Sequence, residues 1–232
     1  VIIGGGANGA GVFRDLSLQG IPTLLLEKDD YSGGTSASPS RLAHGGLRYL
    51  ETGDVSLVRE SAEERNLMLL NAPHQVRPLP VWIPLWSWLG GTIGAIFRFF
   101  RLKKNPGAKG VFPVRAGLFL YDQFGNLNRT MPKHSMLSRG EARRLVPQLA
   151  PRTKAVAQYF DALISQPERL VLEMIEDAEE DCQNAMALSY AEACGINNGE
   201  LLVRDLVSGE EFNIKPKLLL NIAGAWADEV QK

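Results

Sequence analysis

A run of glycines directly after the first apolar residues constrains the fold of this chain more than any other feature. Residues 1–3 have the apolar character of a short buried strand, and residues 4–9, GGGANG, satisfy the spacing GxGxxG. Residues 7–19 are a predicted helix that ends at Gly20. The three spaced glycines permit a tight turn, the approach of a pyrophosphate and close helix packing. The pattern predicts a βαβ unit whose helix N-terminus binds the diphosphate of a dinucleotide.

An acidic residue at the end of the second predicted strand completes this fingerprint. Residues 23–26 are a continuous apolar run, and Glu27 follows it, eighteen positions after Gly9. A carboxylate there can accept hydrogen bonds from both ribose hydroxyls, and it disfavours a 2′-phosphate and hence NADP. GxGxxG alone is also common in glycine-rich turns, so its combination with the strands, the helix and the acid carries the prediction. The fingerprint leaves the choice between FAD and NAD open.

A second motif favours FAD. Residues 35–50, TSASPSRLAHGGLRYL, resemble the TSSxSSKLIHGGLRYLE signature of FAD-dependent glycerol-3-phosphate dehydrogenases, a family of the D-amino-acid-oxidase-like flavoprotein superfamily. Residues 4–11, 117–122 and 221–228 likewise resemble its GGGxNGAG, GLxxYD and NATGPWAD motifs. The resemblance covers nearly all of this chain and only the amino-terminal half of a family member. It implies an α/β fold, in which a Rossmann-like FAD-binding domain with a parallel sheet and a β-meander accompanies part of a second, cap or substrate domain.

The resemblance also assigns residues to three parts of a site. The adenosine diphosphate half of FAD would be held by Gly4, Gly6, Asn8, Gly9 and Glu27, and Lys28 is a further predicted cofactor contact. The flavin would be lined by Thr35, Ser36, Leu42, His44, Gly45 and Gly46, and the predicted cofactor contacts are completed by Ala223 and Gly224. The substrate phosphate would be bound on the side that carries Arg48 and Tyr49.

The chemistry of these side chains agrees with the implied roles and leaves alternatives open. An arginine fork matches a phosphate dianion and a tyrosine hydroxyl adds a neutral donor, although a surface salt bridge would also explain Arg48. His44 could accept a proton as a secondary alcohol loses hydride to the flavin, or it could serve only as a hydrogen-bond partner of the flavin. His74 and His134 lie in proline-flanked, loop-like sequence and are expected to be surface residues.

Three departures distinguish this sequence from the family pattern. Arg41 replaces a lysine, which keeps the charge but changes its geometry, and Pro39 replaces a serine. Residues 222–225, IAGA, stand in place of ATGP, so a threonine hydroxyl that could contact the flavin is missing.

The order of the motifs predicts an FAD-binding domain made of two segments. Residues 1–75 are expected to form the first segment and residues 164–232 the second, truncated one, with a cap or substrate-domain segment at residues 76–163. The chain opens on a predicted strand without an initiator methionine and stops soon after another predicted strand. Both ends of the protein are therefore expected to lie beyond this chain.

Local patterns predict further elements in the second half of the chain. Residues 138–141, SRGE, and residues 165–168, SQPE, carry capping-box signals, and each is expected to start a helix. Residues 156–163 and 186–193 are predicted strands.

A basic and apolar stretch lies within the middle segment. Between Glu64 and Asp122 the sequence has eight lysines and arginines and not one acidic residue. Residues 79–115 are punctuated by proline and glycine and resemble an insertion, and residues 92–104 could form a basic amphipathic helix. Such a helix could lie on an anionic membrane surface, as in the monotopic respiratory members of the family, which pass electrons to quinone. Alternatively, it is a cap element covered by the rest of the protein.

Composition narrows the class of protein further. A net charge of −1 over 232 residues fits a globular protein and does not suggest a nucleic-acid partner. Two cysteines without CxxC spacing and three histidines make a dedicated metal site improbable. The sequence shows no signal peptide, which favours a cytoplasmic protein, with peripheral attachment to the inner face of the plasma membrane as the alternative.

These observations together predict an FAD-dependent glycerol-3-phosphate dehydrogenase. It would oxidise sn-glycerol 3-phosphate to dihydroxyacetone phosphate and pass electrons to quinone or another acceptor. Two alternatives stay open at this stage: a related FAD-dependent oxidoreductase acting on another hydroxy or amino acid, and an inactive FAD-binding fragment.

Overall fold

The computed structural model describes residues 1–50, 54–90, 110–125 and 130–230, apart from the side chains of residues 48, 50, 124 and 125. The chain forms two compact units. Unit 1 comprises Val1–Ser40 and Gln166–Lys232, and unit 2 comprises Arg41–Ser165.

Helices and strands alternate along the described residues. The first half contains β1 (Ile2–Ile3), α1 (Ala7–Leu18), β2 (Thr23–Leu26), a 3-10 helix (Thr35–Ala37), β3 (Leu42–Ala43), α2 (Leu47–Leu50), α3 (Val55–Asn71), β4 (Val76–Leu85) and α4 (Val111–Gly125). The second half contains β5 (Ser135–Ser138), α5 (Arg139–Leu145), β6 (Ala155–Ile164), α6 (Pro167–Asp181), β7 (Ala185–Leu188), β8 (Ala191–Asn197), β9 (Glu200–Asp205), β10 (Glu211–Ile214), β11 (Leu220–Asn221), a 3-10 helix (Gly224–Trp226) and α7 (Ala227–Val230).

A parallel sheet forms the centre of unit 1. Its strand order is β11-β1-β2-β7, and each neighbouring pair runs parallel. Ile2 of β1 and Leu25 of β2 are fully buried against Phe13 of α1 and Ile175 of α6. The βαβ unit predicted from the glycine spacing is therefore confirmed, with α1 as its crossover helix.

The predicted β-meander is also present in unit 1. Strands β8, β9 and β10 form an antiparallel sheet in chain order, and Asn198 and Gly199 between β8 and β9 have φ of 52° and 80°. Both residues thus adopt the left-handed conformation of a type I′ hairpin turn. The sequence predicted one strand over residues 186–193, which is wrong. Tyr190 has φ of 56°, and this turn separates β7 of the parallel sheet from β8 of the meander.

An antiparallel sheet organises unit 2. Its central strand β6 pairs along its whole length with β4, while β3 and β5 pair with opposite ends of β6 on its other side. Leu85 of β4 and Val156 and Ala157 of β6 are fully buried. Strand β6 corresponds to the strand predicted over residues 156–163.

Strand β4 corrects the expectation of an irregular insertion beginning at residue 79. Residues 76–85 form a regular strand of 10 residues although they include Pro78, Pro80 and Pro84. These prolines oppose Ala162, Phe160 and Val156 of β6. Amide groups along a strand point alternately to its two sides, so the Ile164 amide points to the same side as the amides of those three residues. It donates away from β4, to Arg41 O at 2.8 Å. The prolines therefore lack N–H groups only on the edge of β4 that faces away from β6, where a strand tolerates proline.

Of the two predicted helix capping boxes, both within the described residues, one is present and one is absent. The predicted capping box at Ser138 and Glu141 is confirmed: Ser138 Oγ accepts from the Glu141 amide at 3.3 Å, and Glu141 Oε2 accepts from the Ser138 amide at 2.8 Å. The box predicted to start α6 is wrong. Gln166 occupies the N-cap and makes no side-chain capping bond to any described residue, and Pro167 follows it at the first helical position. The fixed φ of proline suits that position.

The predicted domain segments stay a prediction, and the compact units are not identical to them. The sequence placed the first boundary after residue 75, whereas the units divide between Ser40 and Arg41. Residues 41–75 belong to unit 2 because β3 pairs with β6 and α3 packs against α4. The second division, between Ser165 and Gln166, lies close to the predicted boundary at residue 164.

Among the described residues, no helix is long and apolar enough to cross a membrane. The predicted basic amphipathic helix at residues 92–104 lies outside the described residues.

Candidate functional site

The glycine turn of unit 1 has no room for side chains. Gly4 has φ of 111°, and a Cβ on it would lie 2.6 Å from Ile222 O. A Cβ on Gly9 would overlap the Gly4 carbonyl oxygen, and a Cβ on Gly5 would lie 2.8 Å from the Tyr31 ring. Bare backbone at these positions is what the close approach of a diphosphate requires. The turn therefore fits the adenosine diphosphate half of FAD.

The N-terminus of α1 completes the turn with backbone donors. The first helical bond runs from the Ala10 amide to Gly6 O at 2.9 Å, so helix geometry provides no intrahelical acceptor for the amides of Asn8 and Gly9. The Ala7 amide donates to Ser36 Oγ at 2.9 Å. Ser36, predicted as a flavin contact, thus connects the 3-10 helix that carries exposed Thr35 to the start of α1.

Glu27 lies at the glycine turn, as the fingerprint predicts. Its Oε2 accepts from the Gly5 amide at 2.7 Å, and its Oε1 accepts from the Asp29 amide at 2.9 Å. A carboxylate offers about four acceptor positions, so two remain for ribose hydroxyls. Lys28, the next residue, is exposed. The spacing rule singled out Gly4, Gly6 and Gly9 and missed Gly5, whose amide fixes the orientation of the carboxylate.

The turn after β11 also contacts the glycine turn. A Cβ on Gly4 would lie 3.0 Å from the Ala223 Cα, and Gly224 has φ of 58°. Asn221 stabilises this turn, since its side chain donates to Ala227 O at 2.9 Å and accepts from the Ala223 amide at 3.2 Å. Unit 1 therefore brings the predicted residues of the first motif, Glu27, Ser36 and Ala223 to one end of the parallel sheet.

The remaining predicted residues lie in unit 2, in the segment that runs from β3 through the following loop into α2. Leu42 belongs to β3 and is 37% exposed, whereas Gly45 and Gly46 are buried. Gly46 has φ of 71°, and its carbonyl accepts from the Tyr49 amide at 2.8 Å where α2 begins. This turn places the exposed rings of His44 and Tyr49 with their centroids 6.5 Å apart. Arg48 lies in α2, and its side chain is outside the described residues.

A buried polar cluster of Arg65, Tyr121 and Asp161 holds this loop. Asp161 Oδ1 accepts from the Gly45 amide at 2.9 Å, from Tyr121 OH at 2.8 Å and from Arg65 Nη1 at 3.3 Å. Arg65 Nη1 also donates to the Tyr121 oxygen at 2.6 Å. Burial raises the pKa of Tyr121 far above its ordinary value and that of Tyr159, next to the cluster, to about 12. Both hydroxyls therefore stay protonated near neutral pH.

Sequence reasoning missed Arg65 and Asp161 altogether. Asp161 was recognisable as the single charged residue of an otherwise apolar or neutral strand, AVAQYFDALI. Tyr121 belongs to the motif at residues 117–122, and its neighbour Asp122 accepts from the His134 ring, with 2.6 Å between Oδ2 and Nδ1. The expectation that His134 is a surface residue is wrong, because its side chain is 15% exposed and paired with Asp122.

Comparison with known proteins decides the family. The sequence matches the family described as "FAD dependent oxidoreductase" over residues 1–232. The chain belongs to this FAD-dependent oxidoreductase family. The flavoprotein fold and FAD as the family's cofactor, both expected from the sequence, are thereby confirmed.

Relatives of this FAD-dependent oxidoreductase include enzymes named for glycerol phosphate. It is 37% identical to glycerol-3-phosphate dehydrogenase of Synechocystis sp. over 99% of this chain and 39% of that protein. It is 31% identical to alpha-glycerophosphate oxidase of Enterococcus casseliflavus over 100% of this chain and 36% of that protein. The chain thus spans less than two fifths of each of these two relatives.

Solved structures share the fold. The glycerol-3-phosphate dehydrogenase of Bacillus halodurans complexed with FAD superposes with a TM-score of 0.62 at 22% identity, over 99% of this chain and 35% of that one. The L-proline dehydrogenase of P. horikoshii superposes with a TM-score of 0.63 at 19% identity, over 98% of this chain and 53% of that one. At these identities the superpositions establish the fold alone.

We expect Glu27→Gln to weaken FAD binding in the full-length protein. Hydrogen bonds to a charged acceptor contribute about 1.5–3 kcal/mol, so the Kd for FAD should rise roughly 10- to 100-fold. Fluorescence titration of the apoprotein with FAD measures this change. Glu200→Gln, which neutralises an exposed acid at the start of β9, is the matched control and should leave the Kd unchanged. Equal Kd values for the two variants would remove Glu27 from the cofactor site.

Proposed function

We propose that the protein containing this chain oxidises sn-glycerol 3-phosphate to dihydroxyacetone phosphate with FAD as the oxidant. The observation that carries the proposal is the loop from His44 to Tyr49, which presents a histidine and a tyrosine with ring centroids 6.5 Å apart. The names of the relatives from Synechocystis sp. and Enterococcus casseliflavus support the choice of substrate.

In this proposal unit 1 holds the adenosine diphosphate half of the cofactor. The amides at the start of α1 and the bare glycine turn would receive the diphosphate, and Glu27 would bind the ribose through its remaining acceptor positions. Bound FAD supplies a two-electron acceptor for the hydride of an alcohol carbon.

The loop of unit 2 would bind the substrate and handle its proton. Tyr49 would donate a hydrogen bond to the phosphate, and the guanidinium of Arg48, beside it in sequence, would pair with the phosphate charge. An imidazole such as that of His44 can accept the hydroxyl proton near neutral pH while the substrate carbon is oxidised. Because His44 and Tyr49 are both exposed, a substrate can reach them within unit 2.

The destination of the electrons is part of the proposal. Quinone is one acceptor consistent with a dehydrogenase, and oxygen would be the acceptor of an oxidase. Contact with quinone at an anionic membrane surface would involve the basic residues 92–104, which lie outside the described residues.

The decisive experiment is anaerobic reduction of the bound flavin in the full-length protein. We expect sn-glycerol 3-phosphate to bleach the oxidised flavin absorbance, and glycerol, glycine and L-proline to leave it unchanged.

We expect Tyr49→Phe to raise KM for sn-glycerol 3-phosphate about 2- to 10-fold, because one neutral hydrogen bond to the phosphate is lost. Tyr190→Phe, at an exposed tyrosine of unit 1, is the control and should keep the wild-type KM. In the flavin-reduction experiment, loss of the oxidised flavin absorbance with an amino acid and not with sn-glycerol 3-phosphate would contradict the proposal.

A further inference from the structure

We infer that Asp161 is a positioning residue for His44, acting through the backbone amide of Gly45. The inference concerns the same loop as the proposed function and rests on that function for its kinetic consequence. Arg65 and Tyr121 complete the arrangement. One buried carboxylate oxygen of Asp161 binds the loop on one side, and the side chains of Arg65 and Tyr121 pack against it on the other.

The strand register brings Asp161 to this loop. Strand β3 pairs antiparallel with β6, and Ala43 opposes Ala162. Continuing this register by one residue places His44 opposite Asp161, where regular pairing has ended. In place of a ladder bond, the Gly45 amide donates to the Asp161 side chain at 2.9 Å. The carboxylate therefore fixes the peptide that joins His44 to Gly45, directly after the end of β3.

The other side of the loop is closed by the partners of Asp161. A Cβ on Gly45 would lie 2.5 Å from Arg65 Nη1 and even closer to Tyr121 OH. These partners are packed in the interior of unit 2: the side chains of Arg65 and Asp161 are 2% and 7% exposed, and Tyr121 as a whole is 3% exposed. Gly45 is thus confined between a hydrogen-bond acceptor and two packed side chains. Because His44 is joined to Gly45 by a peptide bond, the position of Gly45 also limits that of His44.

The charges of the cluster explain why an acid can occupy this site. A carboxylate buried alone in a strand would be strongly disfavoured, but here Oδ1 accepts from a guanidinium, a phenol and an amide. Asparagine at this position could still accept the Gly45 hydrogen bond through its own Oδ1, although it would leave the Arg65 charge uncompensated. Stability and loop position can therefore be separated by substitution.

The test compares four substitutions in the full-length, FAD-loaded protein: Asp161→Ala, Asp161→Asn, His44→Ala and Leu85→Ala. Leu85 is a fully buried core residue of unit 2 away from the Gly45 amide, so Leu85→Ala controls for general destabilisation. Hydrogen exchange of the peptide spanning residues 41–50 measures the loop without any substrate. We expect Asp161→Ala to accelerate exchange in this peptide at least tenfold, and Leu85→Ala and Asp161→Asn to change it far less.

The kinetic arm is a double-mutant cycle on the rate constant of flavin reduction by sn-glycerol 3-phosphate. A displacement of about 1 Å at a reacting group can slow a reaction about 100-fold, so Asp161→Ala should reduce the rate constant by roughly 10- to 100-fold in protein with wild-type FAD content. Asp161→Asn should restore most of the rate. In a His44→Ala background, Asp161→Ala should have little further effect, because both changes disable the same group.

Two results would overturn the inference. One is equal exchange of the peptide in Asp161→Ala and Leu85→Ala, which would show that the carboxylate does not hold the loop. The other is additive effects of Asp161→Ala and His44→Ala, which would show that Asp161 affects the rate independently of His44. If sn-glycerol 3-phosphate fails to reduce the wild-type flavin, the proposed function fails, and the exchange comparison still decides whether Asp161 fixes the loop.

Discussion

Gly9→Ala is expected to leave the full-length protein without bound FAD. A Cβ at this position would overlap the Gly4 carbonyl oxygen, and that oxygen belongs to backbone that cannot move aside without opening the turn. Because α1 would then be displaced from β1, the amides at its N-terminus would no longer converge on a diphosphate. Flavin absorbance per protein after gel filtration measures the loss, and we expect less than about a tenth of the wild-type FAD content. At a free FAD concentration equal to the wild-type Kd, such a loss corresponds to a rise in Kd of roughly 20-fold or more, or about 1.7 kcal/mol.

Gly11→Ala, two residues further along the same helix, is the matched control. A Cβ on Gly11 would have no described atom within 4 Å outside the helix's neighbouring backbone. Alanine also has a higher helix propensity than glycine, so the control should keep its FAD and gain roughly up to 1 kcal/mol of stability. Wild-type FAD content in Gly9→Ala would mean that the turn does not hold the diphosphate.

Arg65→Met is expected to cause a large loss of stability. It would leave the carboxylate of Asp161, a side chain that is only 7% exposed, without its cationic partner, while methionine approximates the apolar part of the arginine side chain. Removing one partner of a buried ion pair costs about 3–5 kcal/mol of unfolding free energy. Urea denaturation at a fixed FAD concentration, followed by circular dichroism, measures this change.

Another arginine of α3 provides the control for Arg65→Met. Arg59 pairs with Glu63 at 2.8 Å, but its side chain is 66% exposed, so Arg59→Met should leave the urea midpoint almost unchanged. Similar midpoints for the two variants would show that the buried pair contributes no more than a solvated one.

The part of the fold that sequence predicted is the part specified by neighbouring residues. In unit 1, the glycine turn, α1, β2 and Glu27 lie within one short stretch, and each follows from local spacing and hydrophobic pattern. The loop from His44 to Tyr49 was likewise found from a contiguous motif. These segments are predictable because a backbone conformation or a bound phosphate directly requires particular residue types at them.

The missed features depend on residues that are far apart along the chain. Gly45, Arg65, Tyr121 and Asp161 meet only after β6 has paired with β3 and β4, and no local pattern reports that pairing. The same pairing explains why residues 41–75 belong to unit 2, because β3 pairs with β6. Strand β4 was misread since proline usually argues against a strand, whereas its three prolines all face one edge.

That arrangement of prolines in β4 affects how molecules behave while they fold. A strand flank with its full set of donors is a template on which another polypeptide can add, and this is a common route to aggregation. The β4 residues that turn away from β6 are residues 76, 78, 80, 82 and 84, and three of these five are prolines. An incoming strand would therefore find acceptors without donors at three of the five positions. The prolines therefore disfavour strand addition to this edge of β4 by other chains, and they leave the backbone hydrogen bonds between β4 and β6 intact.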